Sequence, residues 1–442
     1  MATQPAGPLG WRTHGVLALL VLAYAGSFIG RQVISVMIEP IKREFGASDA
    51  AMGLISGLAF AAVYVVLGLP AGRLADRYPR VRVLAVVAAL WALATLLCGL
   101  AVGFAMLVLA RMLVAAAEAP LSPASLSLVA DLYPPRYRSL AISCFTGAPT
   151  LSAILGLSVG AWLVEVHGWR WGFFLISVPL GVLALVFGLL VREPPRGRWD
   201  DLTLTQQKPS GMLASAMELL RNGDYRLLIS ATALTTFGAF SLAMWNTSFL
   251  VRSHGLSLQE AGILAGVVMG TSAAIGSLFS GWLADRLCLI DPAWLLRIPL
   301  IGHLVSLASL LAYLCWPAEV AFMLGDLPVP TAILWCGLSS FFSVWWVAPS
   351  FNLLTQLVSP WQRATAIALQ TMLSTLCGVG LGPLVTGALS DALIPFGGEE
   401  SLRHALVLVN LTLVVPFALL VVLQRRRAQT TVVTVETVAD QA

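Results

Sequence analysis

Long apolar runs separated by short polar knots dominate the chain. Val83–Val102 carries no charge from end to end, and Gly172–Val191 and Ala405–Leu423 look alike. A bilayer core about 30 Å thick needs ~20 apolar helical residues, because every backbone group must be hydrogen-bonded inside the segment. The pattern predicts an all-α membrane protein with twelve transmembrane helices. They fall at 15–38, 52–76, 81–102, 104–130, 139–164 and 171–191, then at 226–252, 259–285, 296–317, 331–357, 363–390 and 401–423. Between the two sets, residues 192–225 are polar and contain REPPRGRWDD and QQKPSG. They read as a cytoplasmic linker with a short amphipathic stretch near Met212–Leu220. The expected organisation is an N-terminal six-helix bundle over 1–191, the linker over 192–225, a C-terminal six-helix bundle over 226–423 and a cytoplasmic tail over 424–442.

Composition supports the pattern. The chain is 58% hydrophobic and 11% charged, against about 25% charged in soluble domains. The N-terminal stretch before the first span lacks a basic cluster and shows no cleavage site separate from that span, so the span is expected to be retained. Six cysteines lie mostly inside spans, with no CxxC and no Cys/His ligand spacing. They read as small packing residues.

Basic residues set the orientation. With both termini cytoplasmic, 19 of the 26 Lys and Arg fall in cytoplasmic segments and five outside, while Arg31 and Arg111 lie inside spans. This asymmetry fits the positive-inside rule and explains the net charge of +4 without nucleic acid. The expected location is the cell (inner/plasma) membrane.

The chain also repeats itself. Gly72-Arg73-Leu74-Ala75-Asp76-Arg77 ends the second span, and Gly281-Trp282-Leu283-Ala284-Asp285-Arg286 ends the eighth. Pro135-x-x-Arg138-x-x-Ala141 and Pro360-x-x-Arg363-x-x-Ala366 follow the fourth and tenth spans. The second pair stands slightly further apart than the first. Longer connections around Asp291–Trp294 and Pro317–Pro330 absorb the difference. Two six-span halves in one orientation imply pseudo-symmetry about an axis along the membrane normal, as in carriers whose halves rock about a central site.

These motifs resemble the major facilitator superfamily. The carrying motif is G-x-L-A-D-R-x-x-R, here Gly72–Arg80, with its shorter echo at Gly281–Arg286. Within the superfamily the first half most resembles the spinster family of lipid carriers, through FIGR (28–31), ARMLVAAAEAPLSP (110–123), VADLYPPRYRS (129–139) and VREPPRG (191–197). The resemblance implies the major facilitator fold and secondary transport by alternating access. It further implies that Asp76 caps span 11 and Asp285 caps span 5, whose N-termini carry partial positive charge. Arg77, Arg80 and Arg138, with Arg286 and Arg363 at the matching places of the second half, would complete a cytoplasmic gate. One departure stands out. Spinster-like sequences carry an aspartate, thought to take part in proton coupling, just before the span 1 arginine; here that place is Gly30.

Three ionisable residues lie well inside the first half: Arg31, Arg111 and Glu118. A charge at bilayer depth costs at least about 2.5–3.5 kcal/mol, so it normally faces a watery cavity or a partner. At ~1.5 Å rise per residue, Arg31 sits about 24 Å up span 1 from the cytoplasm, Arg111 about 10 Å down span 4 from outside and Glu118 about 10 Å deeper. Pro120 and Pro123 follow Glu118, and each frees a carbonyl one turn back. A kink beside a buried carboxylate suits a moving, hydrated site. Removal from water favours the neutral acid and a facing arginine the carboxylate, so Glu118 is the candidate for proton coupling. The alternative is a permanent Glu118–Arg111 structural pair. Arg31 has no carboxylate partner nearby in sequence, so an anionic substrate is expected to supply one, since a guanidinium forks well onto carboxylate or phosphate. Snorkelling to the outer interface or bonding to backbone carbonyls is the competing role.

The second half carries Trp245, Asn246, Phe342, Trp345, Trp346 and Asn352 near the middle of spans 7 and 10, and no midspan charge. They are expected to line an apolar pocket, although ordinary packing is the commoner role of such residues. His303 reads as core or gate packing.

No nucleophile–base pair, metal cluster or P-loop is evident, which argues against an enzyme, a cofactor and ATP-driven transport. The sequence reads as a monomeric secondary transporter of an amphiphilic or organic anion, with lysolipid-like substrates following from the spinster resemblance and protons as a possible partner in the bilayer. Two other readings stay open: a small carboxylate or sugar-acid carrier, and a non-transporting receptor or sensor.

Overall fold

The computed structural model describes residues 10–196, 212–359 and 362–439. Nineteen α-helices run through them. The first group is α1 (Trp11–Phe45), α2 (Asp49–Gly53), α3 (Ala59–Arg77), α4 (Arg80–Gly99), α5 (Phe104–Glu118), α6 (Leu121–Leu132), α7 (Pro135–His167) and α8 (Trp169–Leu189). A short α9 (Met212–Arg221) comes next. The remainder are α10 (Gly223–His254), α11 (Leu258–Leu264), α12 (Gly270–Leu287), α13 (Trp294–Cys315), α14 (Ala332–Ser343), α15 (Val347–Leu357), α16 (Arg363–Ser374), α17 (Gly382–Gly397), α18 (Ser401–Leu411) and α19 (Val414–Ala439).

Among the described residues eleven helical runs are long and apolar enough to cross a membrane. The last, Thr365–Gln429, is 65 residues long, over three times the ~20 that one crossing needs. It turns at Gly398, whose φ of +54° suits a residue without Cβ. Counted as two crossings, it completes twelve. Side chains sort by face along these helices. On α4, Val87, Trp91 and Ala94 are buried while Val86, Leu90 and Leu93 are exposed. An apolar exposed face is what lipid requires.

The duplication seen in the sequence recurs in the backbone. The fourth span breaks between α5 and α6 at Ala119–Pro120, where the proline removes a donor. The tenth span breaks between α14 and α15, starting at Val344. Ala119 and Val344 are separated by the same interval as Arg138 and Arg363. Wide π-type turns at Leu54–Leu58 and Ala265–Met269 interrupt the second and eighth spans. A further one occupies Thr375–Leu381. The sequence did not show the small antiparallel hairpin of Val320–Leu324 and Leu327–Pro330, closed by Gly325 at φ +63°. It fills the connection expected over Pro317–Pro330.

The chain divides into two compact units, Met1–Gln207 with Ser257–Gly266, and Lys208–Leu256 with Val267–Ala442. Residues 257–266 join the first unit because Gly262 and Gly266, spaced as a small-xxx-small pair, let their backbone approach α7. A Cβ at Gly266 would lie 2.7 Å from Ser158 Oγ and 3.0 Å from Leu157 Cβ. Gly266→Leu is therefore expected to cost about 1–3 kcal/mol by overpacking, measured as a lower melting temperature of the purified protein.

Candidate functional site

Ser27 and Arg31 are four residues apart on α1 and so share a face. Both donate hydrogen bonds to one acceptor, Oε1 of Glu118, the last residue of α5. The Arg31 guanidinium also lies over three rings, Phe28 at 4.9 Å, Phe60 at 4.8 Å and Tyr64 at 5.2 Å. Phe60 and Tyr64 form a second i, i+4 pair, on α3. Spans 1, 2 and 4 of the first unit thus converge on one charged group. Cation–π contact and an ion pair together hold the guanidinium where water is scarce.

This corrects two expectations. Arg31 does have a carboxylate partner, supplied by α5 rather than by neighbouring sequence. Arg111 does not pair with Glu118. Residues seven apart share a face but stand about 10 Å apart along the axis, whereas direct helix neighbours are three or four residues apart.

Arg111 is 3% exposed. Its guanidinium lies 5.5 Å from the Phe60 ring and makes no hydrogen bond to the described residues; its Nε is buried without a partner. The Thr95 hydroxyl on α4 is likewise buried and unpartnered. Arg111, Thr95, Arg31 and Glu118 line one cavity of about 10 Å³, room for roughly one water. Among the described residues lining it, two guanidinium groups face a single carboxylate. The cluster holds one uncompensated positive charge. Arg31, with a side chain 22% exposed, is its accessible member; Glu118 is 2% exposed. Ser27, Phe60, Tyr64 and Thr95 were not singled out from the sequence. The i, i+4 spacing of Ser27 with Arg31 is the one signal that pointed to any of them.

The second-half candidates do not form one pocket. Trp245 is fully buried and donates from Nε1 to the Pro383 carbonyl at 3.0 Å. Asn246 accepts from the Tyr313 hydroxyl at 2.6 Å and donates to Met269 Sδ at 3.1 Å. Trp345 is buried against Ala284 and Ile298, 4.6 Å from the Phe342 ring. Trp346 is half-buried, and Asn352 is exposed and accepts from Gln356 at 3.0 Å. Of the six, only Phe342 lines the second unit's cavity. That cavity sets Leu242, Met269, Leu310 and Phe342 beside the hydroxyls of Thr235, Ser306, Ser339, Ser340 and Ser343. Packed residues were read as lining because sequence does not report helix rotation.

The gate candidates also separate. Arg80 is 2% exposed and bound inside its own unit. Nε donates to Glu193 at 2.8 Å, and Nη1 donates to Asp131, to Ser127 Oγ at 3.2 Å and to the Ser127 carbonyl at 3.0 Å. Arg80 thus ties α4 to α6 and to the segment after α8, partners within its own unit, where the sequence pointed to a breakable gate pair. Arg77 is exposed beside the Tyr78 ring, and Arg286 is exposed beside Trp282. Asp285 is exposed near the end of α12. Arg138 is half-buried near the start of α7. Arg363 is exposed and donates to the Thr355 carbonyl at 3.2 Å. The side chain of Asp76 lies outside the described residues.

Comparison with known proteins follows the same lines. The family model of the Major Facilitator Superfamily matches residues 20–379. An MFS-type efflux pump of Mycolicibacterium smegmatis is 34% identical over 400 residues, covering 90% of this chain and 89% of its own. Protein spinster homolog 1 of Mus musculus is 29% identical over 402 residues, covering 86% of this chain and 74% of its own. The crystal structure of a bacterial homologue of the human lysosomal transporter spinster, inward-facing and unoccupied, matches with a TM-score of 0.84 at 27% identity, covering 96% of this chain and 98% of its own.

Proposed function

Since the chain belongs to the Major Facilitator Superfamily and is a spinster-like secondary transporter, we propose that it carries an amphiphilic or organic anion by alternating access. The observation that carries this reading is the buried guanidinium of Arg111, which makes no hydrogen bond to the described residues. A charge at membrane depth normally faces a partner or water. An arriving carboxylate or phosphate supplies that partner, with a fork-shaped fit. Arg31 joins the head-group site when its bond to Glu118 opens. Released from Arg31, a buried carboxylate favours its neutral form, so anion entry and proton uptake at Glu118 are coupled through one ion pair. Lysolipid-like substrates are supported by the spinster likeness. Outward transport is supported by the efflux pump named among the relatives. A small carboxylate or sugar acid is the second reading, favoured by the tight space beside Arg111.

The gate is assigned to Asp76, Arg77, Arg138, Asp285, Arg286 and Arg363, supported by their repetition at matching helix ends. Both termini are placed in the cytoplasm of a cell-membrane monomer, supported by the distribution of Lys and Arg. Six spans over 1–191 and six over 226–423, joined by 192–225, form the two moving halves.

Flux into liposomes tests the reading. Long-chain anions are expected to outcompete short-chain ones, and the reverse order favours the small-carboxylate alternative. Binding without flux would leave a receptor instead. Glu118→Gln is expected to bind the anion yet lose its response to an imposed pH gradient. A parent-like pH response in that variant removes the carboxylate from proton coupling.

A further inference from the structure

We infer that His303 is a second proton-binding site, built into the second unit by a hydrogen-bond chain from Thr235 and Pro299. It does not depend on the role of Glu118. His303 on α13 lines a cavity of about 70 Å³, room for several waters. Its Nδ1 lies 2.7 Å from the Pro299 carbonyl. A carbonyl only accepts, so Nδ1 carries a hydrogen. Its Nε2 lies 2.7 Å from Thr235 Oγ1 on α10. That hydroxyl lies in turn 2.8 Å from the Ala231 carbonyl.

Thr235 has one hydrogen for two neighbours. With neutral His303, the hydroxyl donates to Nε2 and the Ala231 contact goes unused. When Nε2 takes a proton onto its lone pair, N–H donates to Thr235 Oγ1 and the hydroxyl hydrogen turns to Ala231. All three contacts are then hydrogen bonds. The change needs a hydroxyl rotation and no heavy-atom movement. The imidazolium thus uses all three contacts, which offsets part of the cost of charging a buried ring.

Among the described residues lining the cavity with His303, none carries a charge. Thr235 comes from α10, Ser339, Ser340 and Ser343 from α14, Asn410 from α18 and Ser306 from its own helix. Met269 and Leu413 add apolar atoms to the lining. His303 is the one titratable side chain among the described lining residues. Asn410, fully buried, has an Oδ1 without a hydrogen-bond partner, an acceptor at the wall of the cavity. A proton held here changes the cavity's charge from zero to plus one.

The test is nitrogen NMR on the full-length protein with 15N-labelled histidine, in lipid nanodiscs, between pH 8 and 5. Replacing His14, His167, His254 and His404 with Gln leaves His303 as the one signal. If that variant does not fold, the difference between the parent and His303→Gln isolates it. The expected result is conversion from the Nδ1–H tautomer to the doubly protonated ring as pH falls. Thr235→Val removes the acceptor for Nε2–H and is expected to weaken proton binding about tenfold, because hydrogen bonds to charged groups outweigh neutral ones. A ring that stays neutral throughout overturns the inference. So does a titration midpoint unmoved by Thr235→Val.

Discussion

Arg111→Met is expected to raise the melting temperature of the purified protein while reducing anion transport by at least about thirtyfold. The two effects have one cause. Arg111 is a buried cation without a hydrogen bond to the described residues, so the resting protein bears its desolvation without a compensating ion pair. Replacing buried charge with an apolar side chain of similar volume is often neutral or stabilising by about 1–4 kcal/mol. Removing one partner of a desolvated charge pair costs about 2–5 kcal/mol of binding, and the lower end already corresponds to about thirtyfold. Arg31→Met gives the opposite stability result. It leaves Glu118, 2% exposed, without its ion-pair partner, at a cost of about 3–5 kcal/mol. Thermal unfolding and flux measured on the same two preparations check both. If Arg111→Met lowers stability as much as Arg31→Met does, Arg111 is a structural residue and the head-group site fails.

The contrast between these arginines also marks how far the sequence could be read. Span positions were legible because a bilayer imposes one length and one polarity on every crossing. The break beside Glu118 was legible because Pro120 cannot donate. Its counterpart at Val344 has its proline a few residues on, Pro349 in the first turn of α15, and is also marked by the spacing of the internal repeat. The identity of the charged cluster was legible, because Arg31, Arg111 and Glu118 are so few among apolar neighbours. Who pairs with whom was not. Pairing depends on helix rotation and on contacts between residues as distant in the chain as Ser27 and Glu118. The same limit explains the aromatic residues of the second half, whose faces could not be assigned, and His303, whose chain through Thr235 crosses two helices. Small-residue packing was read correctly for Cys98 and Cys336, which are buried; Cys144 and Cys315 are exposed.

The second large effect is expected at Arg80. Its position in a gate-like motif suggested a contact that forms and breaks during transport, yet its neighbours all belong to the first unit. Asp131 is 5% exposed, so its charge lies largely out of water, and Glu193 binds both Arg80 and the backbone N–H of Val81 at 2.8 Å. Val81 lies in the first turn of α4, where an unpaired N–H attracts a carboxylate. Arg80 thereby binds two acidic groups while Glu193 caps a helix, and the three fasten the start of α4 to α6. Arg80→Met removes the guanidinium that Asp131 and Glu193 share and is expected to cost about 3–5 kcal/mol, seen as a much lower melting temperature. The double variant Arg80→Met with Asp131→Leu removes the buried carboxylate together with its guanidinium and should recover much of that loss. A gate residue predicts another outcome: single substitution would leave stability near the parent's and change the rate of exchange between the two sides. Melting curves of the single and double variants, with flux beside them, decide between clamp and gate.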